Sequence, residues 1–214
     1  MVFAIPFVAI FIGALLFIPA NTFEWLEGWL YVLLLVLYVL AVFIYFMIKD
    51  PSTLEKRSKL SGSTTDKIFL TLFGIDFFLL IILPGFDFQY SWSPLPFAVE
   101  AIGFLGLVLS YIIIFLVMRE NSFASKGLVI HKDQEVISTG PYAVVRHPMY
   151  VGFTIMSFSI PLALGSLVSL LPALFAPFFL AFRILSEEEM LKKELPDYTE
   201  YMKKVPYRLI PKIW

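Results

Sequence analysis

Residues 149–184 form an apolar run of about 36 residues whose first charged side chain is Arg183. As one helix it would measure roughly 54 Å, while a bilayer's hydrocarbon core is about 30 Å thick. The run also contains Pro161, Gly165, Pro172 and Pro177. A single straight crossing is therefore excluded, and a helical hairpin turning at Ala163-Leu-Gly-Ser166 is predicted. A hairpin returns to the side it left. Residues 146–150 and 183–189 must then be neighbours although some forty residues separate them.

Four further apolar segments, at about 2–20, 29–48, 68–84 and 97–118, each suit a helix of crossing length. Open strands cannot span lipid, because their backbone groups would go unpaired. Apolar residues make up 59% of the 214, charged residues only 15%, and mean hydropathy is +0.85. A soluble domain of this size could not bury so much apolar surface. The fold class expected is all-α, a polytopic membrane helix bundle of four spans plus the C-terminal hairpin, about six crossings, with a cytoplasmic C-terminal tail. The first twenty residues lack a basic n-region and a small-residue cleavage site, so they are expected to be retained as a span.

Charge placement agrees with this topology. Loops 21–28 and 85–96 hold no Lys or Arg. Basic residues fall in 49–67 (Lys49, Lys56, Arg57, Lys59, Lys67), in 119–148 (Arg119, Lys126, Lys132, Arg146), and from Arg183 to Lys212. All can share one face, but only if the long run crosses twice. The positive-inside rule makes that face cytoplasmic, with both termini on it. In a eukaryote the membrane would be the endoplasmic reticulum, in a prokaryote the cell membrane. Trp25, Trp29, Tyr31, Tyr90 and Trp92 gather at the other face as an interfacial belt. Gly103, Gly106 and Ser110 predict close helix packing along the fourth span. Asp76 lies mid-way along the third and is expected to be protonated or hydrogen-bonded, with Ser110 or Tyr111 as partner.

Without cysteine there is no disulfide, thiolate zinc site or cysteine nucleophile, and two histidines make a histidine metal centre improbable. No metal site is expected. No nucleic-acid footprint is visible, and neither a phosphate-binding glycine loop, His-Glu-x-x-His nor a Gly-x-Ser-x-Gly elbow occurs. The polar chemistry concentrates in 119–148 and 183–214. Arg183 and Glu187 are four apart on one helix face and are expected to pair. That would leave Arg146 and Glu188 free to face a ligand, as a bidentate donor beside an acceptor.

Gly140-Pro-Tyr142, Arg146-His-Pro-Met-Tyr150-Val-Gly152, Glu187-Glu188 with Leu191, Tyr198-x-x-Tyr201-x-x-x-Val205 and Arg208-Leu-Ile-Pro211 resemble the isoprenylcysteine carboxyl methyltransferase family, which is itself akin to the phospholipid N-methyltransferases. The likeness covers about residues 119–214. Leu195-Pro196 departs from it, since many relatives carry Phe-Gly there. The resemblance implies a division into a transmembrane scaffold, 1–118, and a methyltransferase core, 119–214. It implies S-adenosylmethionine at the cytoplasmic face, held by Gly140, Tyr142, His147, Tyr150, Glu187 and Glu188, with Arg146 and Glu188 nearest the reacting groups. The partners implied are a lipid-like or prenylated methyl acceptor entering from the bilayer, and membrane lipids.

Four readings follow. A carboxylate acceptor is already ionised and needs orientation rather than a base. An amine acceptor of a lipid N-methyltransferase must lose a proton, a task open to Glu188. A sterol-type membrane reductase would use a nicotinamide cofactor instead. A transporter or channel would need a polar path through the spans, which Asp76 alone does not make.

Overall fold

The computed structural model describes residues 4–49, 51, 64–121 and 135–214. The basic residues Lys56, Arg57, Lys59, Lys126 and Lys132 lie outside them. Helices are α1 (Ala4–Ala20), α2 (Leu26–Lys49), α3 (Thr64–Tyr90), α4 (Phe97–Glu120), α5 (Pro148–Ala163), a short α6 (Leu170–Ala173), α7 (Ala176–Glu194) and α8 (Tyr198–Lys204), with one 3-10 turn at Gly140–Ala143. No strand occurs among the described residues, and the fold is an all-α polytopic bundle.

Four stretches are long and apolar enough to cross a membrane: Leu26–Lys49, Asp66–Tyr90, Phe97–Glu120 and Leu170–Glu194. The shorter apolar helices Ile5–Ala20 and Pro148–Ala163 complete the set of six. The 16 residues of α5 reach about 24 Å at 1.5 Å each, short of a full hydrocarbon core. α5 fits because it packs tightly along α4. A Cβ on Gly103 would stand 2.2 Å from the Ala163 backbone nitrogen, one on Gly106 2.2 Å from Ser159 Oγ, and one on Gly152 2.6 Å from Ile114 Cγ1. These glycines let the two backbones meet, as the small-residue pattern predicts.

The hairpin turns where expected. The backbone nitrogen of Gly165 donates to Leu162 O at 3.2 Å, and Gly165 has φ +73°, a conformation that side-chain-bearing residues resist. The turn is tied to the loop after α3: Leu95 N donates to Gly165 O (3.0 Å), Leu167 N to Ser93 O (3.2 Å), and Val168 N to Ser93 Oγ (2.8 Å). Asp87, buried at the end of α3, accepts from Ser93 N (2.7 Å), Ser93 Oγ (2.5 Å) and Ser166 Oγ (2.5 Å). A cavity of about 260 Å³ opens beside this knot, lined by Trp25, Glu27, Asp87, Phe88, Glu100 and Gly165.

Two expectations are corrected. Trp29, Tyr90 and Trp92 are exposed as an interfacial belt requires, but Trp25 and Tyr31 are buried. Trp25 stacks on Phe88 with ring centroids 4.9 Å apart and meets Phe17 edge-on, so it belongs to the core joining α1, α2 and α3. Asp76 is buried, and of the two states expected for it, protonated or hydrogen-bonded, only the bond to Ser110 or Tyr111 is overturned. The Ser110 hydroxyl donates to Leu107 O at 2.8 Å, and neither Asp76 Oδ2 nor the Tyr111 hydroxyl has a hydrogen-bond partner among the described residues.

Candidate active site

Pro148 opens α5 at a position whose N–H would be unpaired in any case, so the helix starts there at no cost. The two residues before it are fixed by the tail. Arg146 N donates to Tyr207 O at 2.9 Å and His147 N to Arg208 O at 3.0 Å. Both side chains are thereby delivered to the far limb of the hairpin, where α7 presents Glu187 and Glu188. The proximity inferred from the fold-back is realised.

Glu188 is the hub. Its Oε1 accepts from Arg146 Nε (2.7 Å), lies 2.6 Å from Arg146 Nη2 and 3.4 Å from His147 Nε2. Its Oε2 accepts from Arg208 Nε (3.0 Å) and lies 2.9 Å from Arg208 Nη2. The remaining terminal nitrogen of Arg146 donates to Val205 O at 2.8 Å. Two guanidiniums on one carboxylate, each directing two nitrogens at a single oxygen, are strong contacts, and they favour the ionised acid. The site is dry: Arg146 is 5% exposed and Glu188 1%. Helix spacing alone leaves these two free to face a ligand. Instead they pair with each other, and the tail adds Arg208 to Glu188 and the Val205 carbonyl to Arg146.

The expected i,i+4 pair is corrected too. Arg183 forms its ion pair with Asp66, at the first turn of α3, and lies over the Phe69 ring with its guanidinium carbon 5.0 Å from the centroid. Glu187 accepts the Tyr150 hydroxyl at 2.6 Å. Helix spacing made Arg183 and Glu187 reachable, but a buried arginine takes the partner that desolvates with it.

Tyr142 and Gly140 lie on the 3-10 turn at the site's edge. Tyr142 O accepts from the Tyr201 hydroxyl (2.7 Å), and the Tyr142 hydroxyl accepts from Asn121 Nδ2 (2.9 Å). Gly140 has φ +57°, and a Cβ there would stand 3.0 Å from the Glu120 carboxyl carbon. Thr139 Oγ1 donates to that same carboxylate. Leu195, the departure from the family pattern, is buried with Tyr198, Tyr201 and Val205, so the apolar seat is filled by another side chain.

Three residues that carried no role in the sequence reading belong to this region. Arg208 closes the clamp on Glu188, its side chain 26% exposed and its guanidinium carbon 5.3 Å from the Trp214 ring centroid. The motif holding it was visible, but its target was not. Tyr198 is buried, and its hydroxyl has no hydrogen-bond partner among the described residues. Burial, with the Glu188 charge beside it, pushes this phenol up from its ordinary value, so it remains a proton donor. Asp66 lies outside the recognisable part of the chain and gave no signal; only the packing of α3 on α7 pairs it with Arg183.

An unsatisfied, buried phenol beside a carboxylate with two arginines is a polar environment with a donor in hand, and it fits a polar ligand carrying an acceptor group. S-adenosylmethionine, with its amino-acid end and ribose hydroxyls, is such a ligand.

Residues 98–197 match the phospholipid methyltransferase family. Protein-S-isoprenylcysteine O-methyltransferase of Schizosaccharomyces pombe is 39% identical over 129 residues, covering 58% of this chain and 52% of that protein. A delta(14)-sterol reductase of Mus musculus is 34% identical over 85 residues, covering 38% of this chain and 20% of the reductase. The nickel-cobalt-cadmium resistance protein NccN of Alcaligenes xylosoxydans xylosoxydans is 34% identical over 82 residues, 35% of this chain and 36% of that protein. The chain thus spans about half, or less, of the curated relatives it matches. The first two matches bear out the family likeness read from Gly140-Pro-Tyr142 and from Arg146 to Gly152.

Proposed function

We propose that this chain is a membrane-embedded, S-adenosylmethionine-dependent methyltransferase that methylates the carboxylate of an S-isoprenylcysteine or a closely similar lipid-like acid. Residues 1–118 serve as scaffold and 119–214 as core, with the site and both termini at the cytoplasmic face. The observation that carries the choice of acceptor is the saturation of Glu188 by Arg146, His147 and Arg208. An amine must surrender a proton before it attacks, and a carboxylate already bound to two guanidiniums is a poor base. A carboxylate acceptor is nucleophilic as it stands and needs only orientation in a dry site.

His147, Tyr150 and Tyr198 would hold the cofactor at the Glu187–Glu188 face, with Gly140 and Tyr142 at its edge. The bound cofactor supplies an electrophilic methyl group. The chain's contribution is to bind, orient and exclude water, with Arg146 and Arg208 fixing Glu188 so that the surrounding field does not rearrange during reaction.

The test is transfer of labelled methyl from S-adenosylmethionine, in detergent, to N-acetyl-S-farnesylcysteine, phosphatidylethanolamine and small thiols. The expected product is a base-labile ester on the prenylcysteine. Label on the aminophospholipid alone would overturn the acceptor. S-adenosylhomocysteine should raise the melting temperature, since it binds only the folded state. A rise with NADPH alone would favour the reductase to which part of the chain is similar. A reporter after Trp214 should share its side with one in 49–67 and oppose one in 85–96.

A further inference from the structure

Beyond supplying Arg208 to Glu188, the tail closes on itself. Arg208 N, Leu209 N and Ile210 N all donate to Trp214 O, at 2.9, 3.0 and 3.1 Å, and Ile213 N and Trp214 N both donate to Ile210 O at 3.1 Å. The Arg208 guanidinium carbon lies 5.3 Å from the Trp214 ring centroid, so the loop that fixes the Arg208 backbone also meets its side chain. The loop's place is set as well. Tyr207 O and Arg208 O accept from Arg146 N and His147 N, directly before Pro148 opens α5. That pins the loop at the mouth of the hairpin, where the chain enters the bilayer. There it shows four consecutive exposed residues, Ile210-Pro-Lys-Ile213, with Ile210 52% and Ile213 76% exposed. Lys212 between them has φ +68°, a backbone state that a side-chain-bearing residue keeps only when its surroundings impose it. Val144, two residues before Arg146 on the segment the tail pairs with, is exposed too.

We infer that the loop 208–214 is an interfacial anchor that seats on anionic phospholipid headgroups, and that this seating holds Arg208 on Glu188. The inference rests on the proposed active site and adds what governs it. Exposed apolar side chains beside a cation are the composition of a contact lying in the plane of the membrane surface: Ile210 and Ile213 enter the acyl boundary and Lys212 lies among the phosphates. Charge selects the lipid. From Met202 to Trp214 the chain carries Lys203, Lys204, Arg208 and Lys212 and no acid. Lys204 is shared with Glu200 at 2.8 Å, an exposed pair of little strength, while Lys203 and Lys212 are exposed. An anionic leaflet attracts basic residues held at its surface. Basic residues also fix topology, but topology requires neither the two isoleucines nor a headgroup contact. The coupling to the site is short. Trp214 O holds the Arg208 amide, the Trp214 ring lies against the guanidinium, and Arg208 Nε donates to Glu188 Oε2 at 3.0 Å. A loop that left the surface would loosen one of the two guanidiniums on Glu188.

The chain has no cysteine, so Ile213→Cys takes a single nitroxide spin label on the full-length protein. In vesicles of phosphatidylcholine mixed with phosphatidylglycerol, oxygen dissolved in the acyl region should relax the label more than a water-soluble nickel chelate does. In phosphatidylcholine alone the balance should shift toward the chelate, and adding Lys203→Gln and Lys212→Gln should abolish the difference between the two vesicles. Methyl transfer reads the coupling. Wild-type turnover should be about fivefold higher or more in the mixed vesicles, the effect of one lysine at an anionic surface. In Lys203→Gln/Lys212→Gln that ratio should fall to about one, with turnover in phosphatidylcholine alone unchanged. Wild type and variant meet the same acceptor in the same vesicles, so its partitioning cancels. A label that faces water in both vesicles would overturn the inference, as would a wild-type ratio kept by the lysine variant. Purely topogenic lysines would leave label depth and turnover ratio where they are. The wild type separates this from the proposal beneath it. If it transfers methyl to no acceptor, the function fails and label depth still decides the anchor. If it transfers methyl equally in both vesicles, the function stands and the hold on Glu188 fails.

Discussion

At the mouth of the hairpin one buried carboxylate, Glu188, is held by two guanidiniums and an imidazole nitrogen; at its turn another, Asp87, is held by two serine hydroxyls and a backbone amide. Both satisfy an acid removed from water, but with different donors. At the mouth the donors are charged, and Glu187, one residue along, adds a second carboxylate to the two arginines. At the turn the donors are neutral, and Glu27 and Glu100 line the neighbouring cavity. The reach of the bonds differs as well. Glu188 joins residues 146, 147, 188 and 208, so its network exists only when tail, α5 and α7 are all in place. Asp87 joins the end of α3 and the loop after it to the hairpin turn at Ser166 and acts as a fastener. Burial of a charge therefore does not by itself mark a reacting centre; the charged partners of Glu188 and the neutral ones of Asp87 tell the two apart.

The largest effect should come from Glu188→Ala. It leaves two arginines facing each other, one of them buried, with no anion between them. Removing one side of a buried pair costs about 3–5 kcal/mol, and methyl transfer should disappear with it. Thermal unfolding of the detergent-purified variant measures the first and labelled transfer the second. A variant as stable as wild type would dissolve the contrast between the two ends. Next is Gly103→Ala, which attacks the seam holding the ends at fixed spacing. The added methyl would stand 2.2 Å from the Ala163 backbone nitrogen, where no side chain can yield. Overpacking of this kind costs about 1–3 kcal/mol. Asp87→Asn should follow, at about 1–3 kcal/mol, because an amide cannot accept from all three donors. Its turnover should equal that of wild type, and a loss of activity exceeding its loss of folded protein would show that the turn end takes part in the chemistry.

The bundle was legible in the sequence for a physical reason. Lipid admits few backbone solutions, so the length of residues 149–184 forced a fold-back and the fold-back forced Arg146 beside Glu188. What could not be read was saturation. Whether an arginine at a membrane edge faces a ligand depends on what else reaches it. Here Val205 O and Arg208 arrive from a tail whose path no periodicity encodes. The Arg183–Glu187 expectation failed likewise: helix spacing supplies candidates, and the neighbouring helix chose Asp66. Trp25 was misplaced because an aromatic near a span end is equally suited to an interface and to a core, and Phe88 decided it.

The smallest effect, and the finest probe of the comparison, is Ser166→Ala. The Ser166 hydroxyl donates to Asp87 Oδ2, lies 2.8 Å from Ser169 Oγ and accepts from Ser169 N at 3.3 Å. Its loss removes one of three donors to Asp87, while Ser93 N and Ser93 Oγ remain. A single net hydrogen bond is worth about 0.5–1.5 kcal/mol, so unfolding should shift by about that much. Combined with Asp87→Asn, the effect should be less than the sum of the two, since both variants weaken the same contact and neighbours in one network couple by about 0.5–3 kcal/mol. Strict additivity would mean that the serine and the aspartate act separately and that the knot at the turn is not a unit. Methyl transfer per folded molecule should match wild type in the single and the double variant alike. The turn end would then be a fastener about one α5 length, roughly 24 Å, from the mouth. A turnover that tracks the serine instead would mean that the hairpin transmits strain from its turn to Glu188, and the two ends could no longer be treated as independent.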